Sequence, residues 1–244
     1  MARPTRPVSP ARRPKAQKKP MSPRAAQLLA IVVALGFVAI IAAIVVSSMN
    51  RPEASDALPE VPAGEAGELL RDDPHLLSEA TPETAEVVLV EFLDFQCPGC
   101  ASASPFVQQL AADYGDRLSV VVRHLPLTEI HPHAVDAALA SEAAAAQGQF
   151  VAMYERLFET QQEWARSAGD QSGTFRGFAE ELGLDLGEYD RVVSDAATLE
   201  RIALDRADAF ALGAGGTPSF FLDGEFLQLS SFEELRTIVE ARLN

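Results

Sequence analysis

A chain of 244 residues with a formal charge of −15 has room for one ordinary domain and a tail. The charge is unevenly spread: residues 1–50 hold eight basic side chains and no acidic one, while the remainder carries 12 arginines against 35 carboxylates, a net −23. So acidic a body is repelled by nucleic acid and by anionic lipid, which excludes both as partners of that part of the chain.

Residues 1–24 scatter prolines among basic side chains and have too little apolar surface to form a core, so a disordered cytoplasmic tail is expected. The run "LLAIVVALGFVAIIAAIVV" at 28–46 follows, without one polar side chain. As a helix it would span roughly 28 Å, the thickness of a bilayer's hydrocarbon core. A transmembrane helix is therefore expected over 25–48. The basic flank before it, against Arg51 alone just after it, places the N-terminus in the cytoplasm and the rest of the chain outside, as a single-pass protein of the cell membrane. "VSSM" at 46–49 offers a cleavage site, but the apolar run is longer than that of a secretory signal, which favours a retained anchor. Residues 49–68, rich in Pro, Glu, Ala and Gly, read as a linker.

The folded part is expected over 69–244. "VVLVEFL" at 87–93 is a β-branched run of central-strand length. "CPGCASASPFVQQLAADYG" predicts a helix that opens at Cys97 and closes at Gly115, with Pro98 suited to its first turn and Pro105 a kink or irregular turn. "LSVVVRHLPL" at 118–127 predicts a second strand ending before Pro126, and residues 131–213 read as a block of alanine-rich helices. "TPSFFLDGEFLQL" at 217–229 then predicts two short strands about the turn Asp223-Gly224. A last helix is expected to be capped by Ser230 or Ser231. The order β-α-β, helices, β-β-α is that of an α/β domain with a helical insertion at about 128–213.

The only two cysteines, Cys97 and Cys100, stand where the first strand meets the first helix. A structural disulfide closing so short a loop would stabilise the chain by only about 2 kcal/mol, against nearly 5 for a loop of about 100 residues. A zinc site needs four ligands, so His124, His131 or His133 would have to complete the set; the ordinary reading of His131 and His133, in "HPH", is as surface polar residues at a helix start. The redox reading accounts for more. A thiolate in the first turn of a helix is stabilised by the dipole and by unpaired backbone N–H groups, which makes Cys97 the exposed attacking sulfur and Cys100 the shielded resolving one. Outside the cytoplasm disulfides form and persist. No nucleotide, flavin or metal motif is present, so no cofactor is expected; "GLDLGE" and "GAGG" lack the strand–helix context of a phosphate site.

"EFLDFQCPGC", followed far downstream by "GGTPSFFLDGE", resembles the thioredoxin superfamily, and within it the DsbA-like thiol–disulfide oxidoreductases, over about residues 69–244. The resemblance implies a thioredoxin-like fold with an inserted helical domain. It implies a cis peptide at Thr217-Pro218 facing the cysteines, with the Thr217 backbone free to pair with a substrate peptide. It implies that Glu91 is a buried acid that exchanges a proton with Cys100, and that Pro105 kinks the helix. Gly99 departs from the strongly oxidising founder of the family, which has histidine there; Pro98-Gly99 lacks a cation for the Cys97 thiolate, and Asp94, read as exposed, would at most oppose it. The function implied is oxidation of reduced or unfolded secreted proteins, with a membrane redox partner, quinone-linked in the family, as reoxidant. The alternatives are a thiol reductase serving one dedicated client and a peptide-binding or chaperone module without turnover.

Overall fold

The apolar run becomes β2 (Val87–Leu93) of a five-stranded mixed sheet in the order β1-β3-β2-β4-β5, with β1 at His75–Leu76, β3 at Leu118–His124, β4 at Ser219–Leu222 and β5 at Glu225–Phe226. This computed structural model describes residues 58–62 and 64–244; the expected tail, transmembrane helix and half of the linker lie outside them. β2 and β3 run parallel, paired from Val87↔Leu118 to Leu93↔His124, and the other pairings are antiparallel. Helices cover both faces of the sheet, which is why β2 and β3 read as nearly unbroken apolar runs.

The pleat sorts the side chains. Leu89, Val120, Phe220 and Leu222 pack with Val107 and Leu110 of α1 (Pro98–Tyr114) and with Leu235 and Val239 of α8 (Phe232–Leu243). Val90, Phe92, Val121 and Phe221 face the other way, toward Ala209 of α7 (Ala196–Ala211) and Ala214. The strand period of two therefore puts Glu91 on the face covered by α1, beneath the cysteines.

Between β3 and β4 come α2 (Ala134–Ala145), α3 (Phe150–Glu159), α4 (Gln161–Trp164), α5 (Ser172–Glu181), α6 (Leu186–Val193) and α7. α2 is surrounded by α3, α5, α6 and α7 and is buried nearly all round, so its alanines are what close helix approach requires. α8 is capped by Ser231, whose Oγ accepts the Glu234 N–H at 3.2 Å, while Glu234 reaches back to the Ser230 N–H at 2.7 Å. α1 runs without interruption through Pro105, so of the kink and the irregular turn expected there, the turn does not occur.

Two further expectations shift. β3 ends at His124, one residue short of the end expected before Pro126, which has no N–H to continue the ladder; the Leu127 N–H beyond it is taken by the Asp94 carboxylate at 2.9 Å. The short edge strand β1 was not expected; it is held to β3 by pairing His75↔Val122, a partnership that two residues of sequence cannot announce.

The described chain is fastened to the sheet by a buried ion cluster. Asp208 accepts the N–H groups of Gly67 (2.7 Å) and Glu68 (3.1 Å) and pairs with Arg71 (2.6 Å) and Arg123 (2.6 Å). Arg123 also bonds Asp205 and the carbonyls of Glu68 (2.7 Å) and Leu69 (3.1 Å). Burial raises the Asp208 carboxyl, but the two arginines and two N–H groups outweigh it and hold it down to about 2. Because the folded value lies below the unfolded one, this contribution is complete above about pH 4 and fades as pH falls toward 2. Asp208→Ala removes the carboxylate that Arg71 and Arg123 share, leaving Arg123 with Asp205 alone, and is expected to cost about 3 kcal/mol near neutral pH. In urea unfolding, the difference from wild type should shrink between pH 4 and pH 2.

Candidate active site

Cys97 occupies the N-cap of α1, with Pro98 in the first turn and the Ala101 N–H bonded to the Cys97 carbonyl at 3.2 Å. Its φ of −70° and ψ of 123° are extended, so the chain enters from β2 and turns into the helix at this residue. Cys100 lies one turn on and is fully buried, whereas Cys97 keeps 8% of its surface. Cys97 is thus the more open sulfur, though less exposed than the sequence reading held. Both are free thiols in this structure.

Opposite them lies the Thr217–Pro218 loop, whose peptide bond is cis. The Cys97 Sγ donates to the Thr217 carbonyl at 3.4 Å. Gly99 faces the same loop: a Cβ there would stand 3.2 Å from Pro218 Cδ and 3.5 Å from the Cys97 Sγ. The missing side chain at Gly99 is therefore a matter of space as well as charge. The Thr217 hydroxyl is buried and unpartnered while Cys97 is a thiol, and it becomes a donor once the thiolate forms.

These groups separate the two sulfurs electrically. The Cys100 thiol hydrogen-bonds to Cys97; against the effect of burial, this bond, the Thr217 hydroxyl and the N–H groups of Cys100 and Gly99 bring Cys97 down to about 5. Burial first, then the Cys97 thiolate and Glu91, push Cys100 well above the ordinary thiol range. Glu91 is fully buried with both carboxylate oxygens unpartnered, and burial, helped by the Cys97 charge, raises it to about 8. The Tyr154 hydroxyl, also buried and unpartnered, carries the same desolvation and feels Glu91 and Cys100. A neutral Glu91 under a neutral Cys100, beside an anionic Cys97, is the arrangement these energies favour.

The helical insertion holds the turn in place. The buried Gln161 amide of α4 donates to the carbonyls of Phe95 (2.8 Å) and Cys97 (2.9 Å). Gln96 donates to Ala165 O at 2.7 Å and accepts the His133 N–H at 2.6 Å. Sequence reasoning missed both glutamines: each bonds across more than thirty residues of chain, and a glutamine in a helix or turn carries no local mark.

Asp94 overturns its reading as an exposed residue. It is buried, its Oδ1 accepts the Gln96 N–H at 2.7 Å, and its Oδ2 pairs with His131 Nδ1 at 2.7 Å. His133 is likewise not the surface residue expected, whereas His131 keeps part of its side chain open to water. His133 is buried against Ser167 O at 2.8 Å, and His124 is buried with its Nε2 2.8 Å from Glu142 Oε1. His75 reaches the same oxygen at 2.7 Å and Arg201 reaches it at 3.1 Å. The Arg201 guanidinium lies against this His75–Glu142–His124 group, with a terminal nitrogen also 3.4 Å from His75 Nε2, so the group is tied together by hydrogen bonds. Each histidine considered for a zinc site with the thiols is engaged elsewhere. A groove of about 1120 Å³ between α1 and α3, lined by Ala101, Ser104, Pro105, Val151 and Phe158, does not include the thiols among its walls.

A family profile described as thioredoxin matches residues 82–241. A thioredoxin-like oxidoreductase from Silicibacter pomeroyi DSS-3 is 26% identical, with a TM-score of 0.57 over 71% of this chain and 95% of that one. BdbD from Bacillus subtilis shares the fold with a TM-score of 0.61 at 19% identity, over 73% of this chain and 97% of that one. A curated relative, a Na(+)/H(+) antiporter NhaA of Herminiimonas arsenicoxydans, is 41% identical over 156 residues; the match covers 64% of this chain but only 24% of the antiporter. No helix among the described residues is long and apolar enough to cross a membrane.

Alkylation of the reduced protein should follow Cys97 alone, with a midpoint near pH 5, and Cys100 should stay silent over the same range. Glu91 has a raised folded value, so its contribution to stability is complete below about pH 4.5 and is lost as pH climbs through about 8. Glu91→Gln removes that dependence, and the fall in unfolding free energy between pH 4 and pH 8 should shrink by on the order of 3 kcal/mol.

Proposed function

Because the chain belongs to the thioredoxin family, we propose that it is a DsbA-like thiol–disulfide oxidoreductase that oxidises cysteines of exported proteins through the Cys97–Cys100 pair. The observation that carries this reading is the opposite protonation of two sulfurs one turn apart, Cys97 held near 5 and Cys100 well above the ordinary thiol range. A stable Cys97 thiolate favours the dithiol form and makes the disulfide an electron acceptor.

The chemistry balances as follows. A client thiolate attacks Cys97 Sγ, the Cys97–Cys100 bond breaks, and Cys100 leaves as a thiolate that takes a proton from Glu91, which regains one from water. A second client thiolate attacks the client sulfur of the mixed disulfide; the client disulfide forms and Cys97 departs as a thiolate. Two electrons have passed to the protein pair. A membrane redox partner, quinone-linked in the family, then removes them. The main chain at Thr217, beside Cys97, is where the client peptide would align as an added strand, with Pro218 holding that loop against Gly99.

The apolar segment 25–48 with its basic flank supports a membrane anchor that presents the domain outside the cytoplasm, where client thiols await oxidation. The bare Pro98-Gly99 pair favours a second direction, reduction of one dedicated client, because it puts no cation on Cys97.

The reduction potential separates the two. Equilibrated in glutathione buffers, the pair should settle at about −120 to −180 mV for an oxidase; about −270 mV would give the lead to the reductase. Cys100→Ala should accumulate mixed disulfides with client proteins through Cys97, and Cys97→Ala should form none. Failure of Cys100→Ala to hold any client would sink both directions.

A further inference from the structure

The turn that delivers Cys97 is built around Asp94. Its carbonyl accepts the Cys97 N–H at 3.0 Å and its own N–H points to the Cys100 Sγ at 3.5 Å. Its Oδ1 is taken by the Gln96 N–H, and its Oδ2 by the Leu127 N–H at 2.9 Å and by His131 Nδ1 at 2.7 Å. A buried carboxylate with three donors has no freedom to turn, so the imidazole it holds is fixed beside the cysteines. The ring lies at the surface: His131 keeps 14% of its side chain open to water, and Ile130 before it is 68% exposed. With Nδ1–H donated to Asp94, Nε2 has no protein hydrogen bond among the described residues.

The other charges around this ring are accounted for. Arg206 of α7 is spent on Glu129 at 2.8 Å and on the Pro126 carbonyl at 3.1 Å. At the start of α2, His133 is tied to Ser167, and Asp136 is raised to about 6 by burial and Asp170. Glu91 below is uncharged at neutral pH. The hydrogen bond to Asp94 raises His131 against its burial, and the Cys97 charge adds to the effect.

We propose that His131, fixed by Asp94, is the cation of this active site: placed on the loop after β3 instead of between the cysteines, it supports the Cys97 thiolate and makes the pair more oxidising. It acts twice, by its own positive charge and by cancelling the buried Asp94 carboxylate, which without it would stand unbalanced beside the thiolate. It is a positioning residue for charge, and the inference rests on thiol exchange at Cys97. The two effects have one sign, so loss of the ring raises the Cys97 pKa and favours the disulfide.

The test uses His131→Gln, which keeps a donor for Asp94 without the charge, and His131→Lys, which restores the charge. Both are compared with wild type by iodoacetamide alkylation from pH 4 to 8 and by glutathione equilibration. For His131→Gln the acid dissociation constant of Cys97 should fall about three- to ten-fold, a midpoint moved up by about half to one pH unit, the effect of one nearby charge partly open to water. The equilibrium should move by the same factor toward the disulfide, which for a two-electron couple is about 15 to 30 mV more negative. His131→Lys should recover most of both. An unchanged midpoint and equilibrium in His131→Gln would overturn the proposal, and so would equal losses in the Gln and Lys variants, the mark of a merely structural role. If wild-type Cys97 itself shows no low-pH reactivity, the thiol-exchange reading fails and not this assignment alone.

Discussion

Two sulfurs less than one helical turn apart must hold opposite protonation states, and the rest of this domain is arranged around that requirement. A helix terminus alone would favour the anion on whichever thiol is nearest. Selectivity comes from grading water: Cys97 retains a sliver of exposure and a ring of N–H and O–H donors, while Cys100 sits above an unpartnered carboxyl in the sheet core. An unpaired acid in a strand is a liability for folding, and its persistence at Glu91 is intelligible only because the neighbouring sulfur has a proton to exchange.

The sheet and the insertion share the work. β2 and the pleat set the depth of Glu91 and Cys100, whereas the aim of Cys97 is set by amides from elsewhere, Gln161 on its carbonyl and Gln96 locked to the insertion. The inserted helices are thus a clamp on the active turn as well as a cover for one end of the sheet. Their Ala-rich centre, α2, permits the tight approach that such a clamp needs.

What the sequence made legible was local. Strand β2, the helix after Cys97, the hairpin at Asp223-Gly224 and the cap at Ser231 each rest on the chemistry of neighbouring residues, and each could be read without a fold. The cysteines were legible from their place where a strand meets a helix, and Glu91 only through the family resemblance. What escaped depended on distant partners. Asp94 looks like a loop carboxylate until His131 and Leu127 arrive from another loop, and Arg123 looks like a strand defect until α7 supplies Asp205 and Asp208. Buried charge is invisible in sequence because burial itself would argue against it.

Gly99 and the loop at Pro218 occupy what is, for one extra carbon, a single shared volume. A side chain at 99 would press on Pro218 Cδ, and the loop would have to give by a few tenths of an ångström to admit it. The residue between the cysteines and the facing loop are therefore coupled, and another oxidoreductase's dipeptide grafted here would meet a loop fitted to glycine.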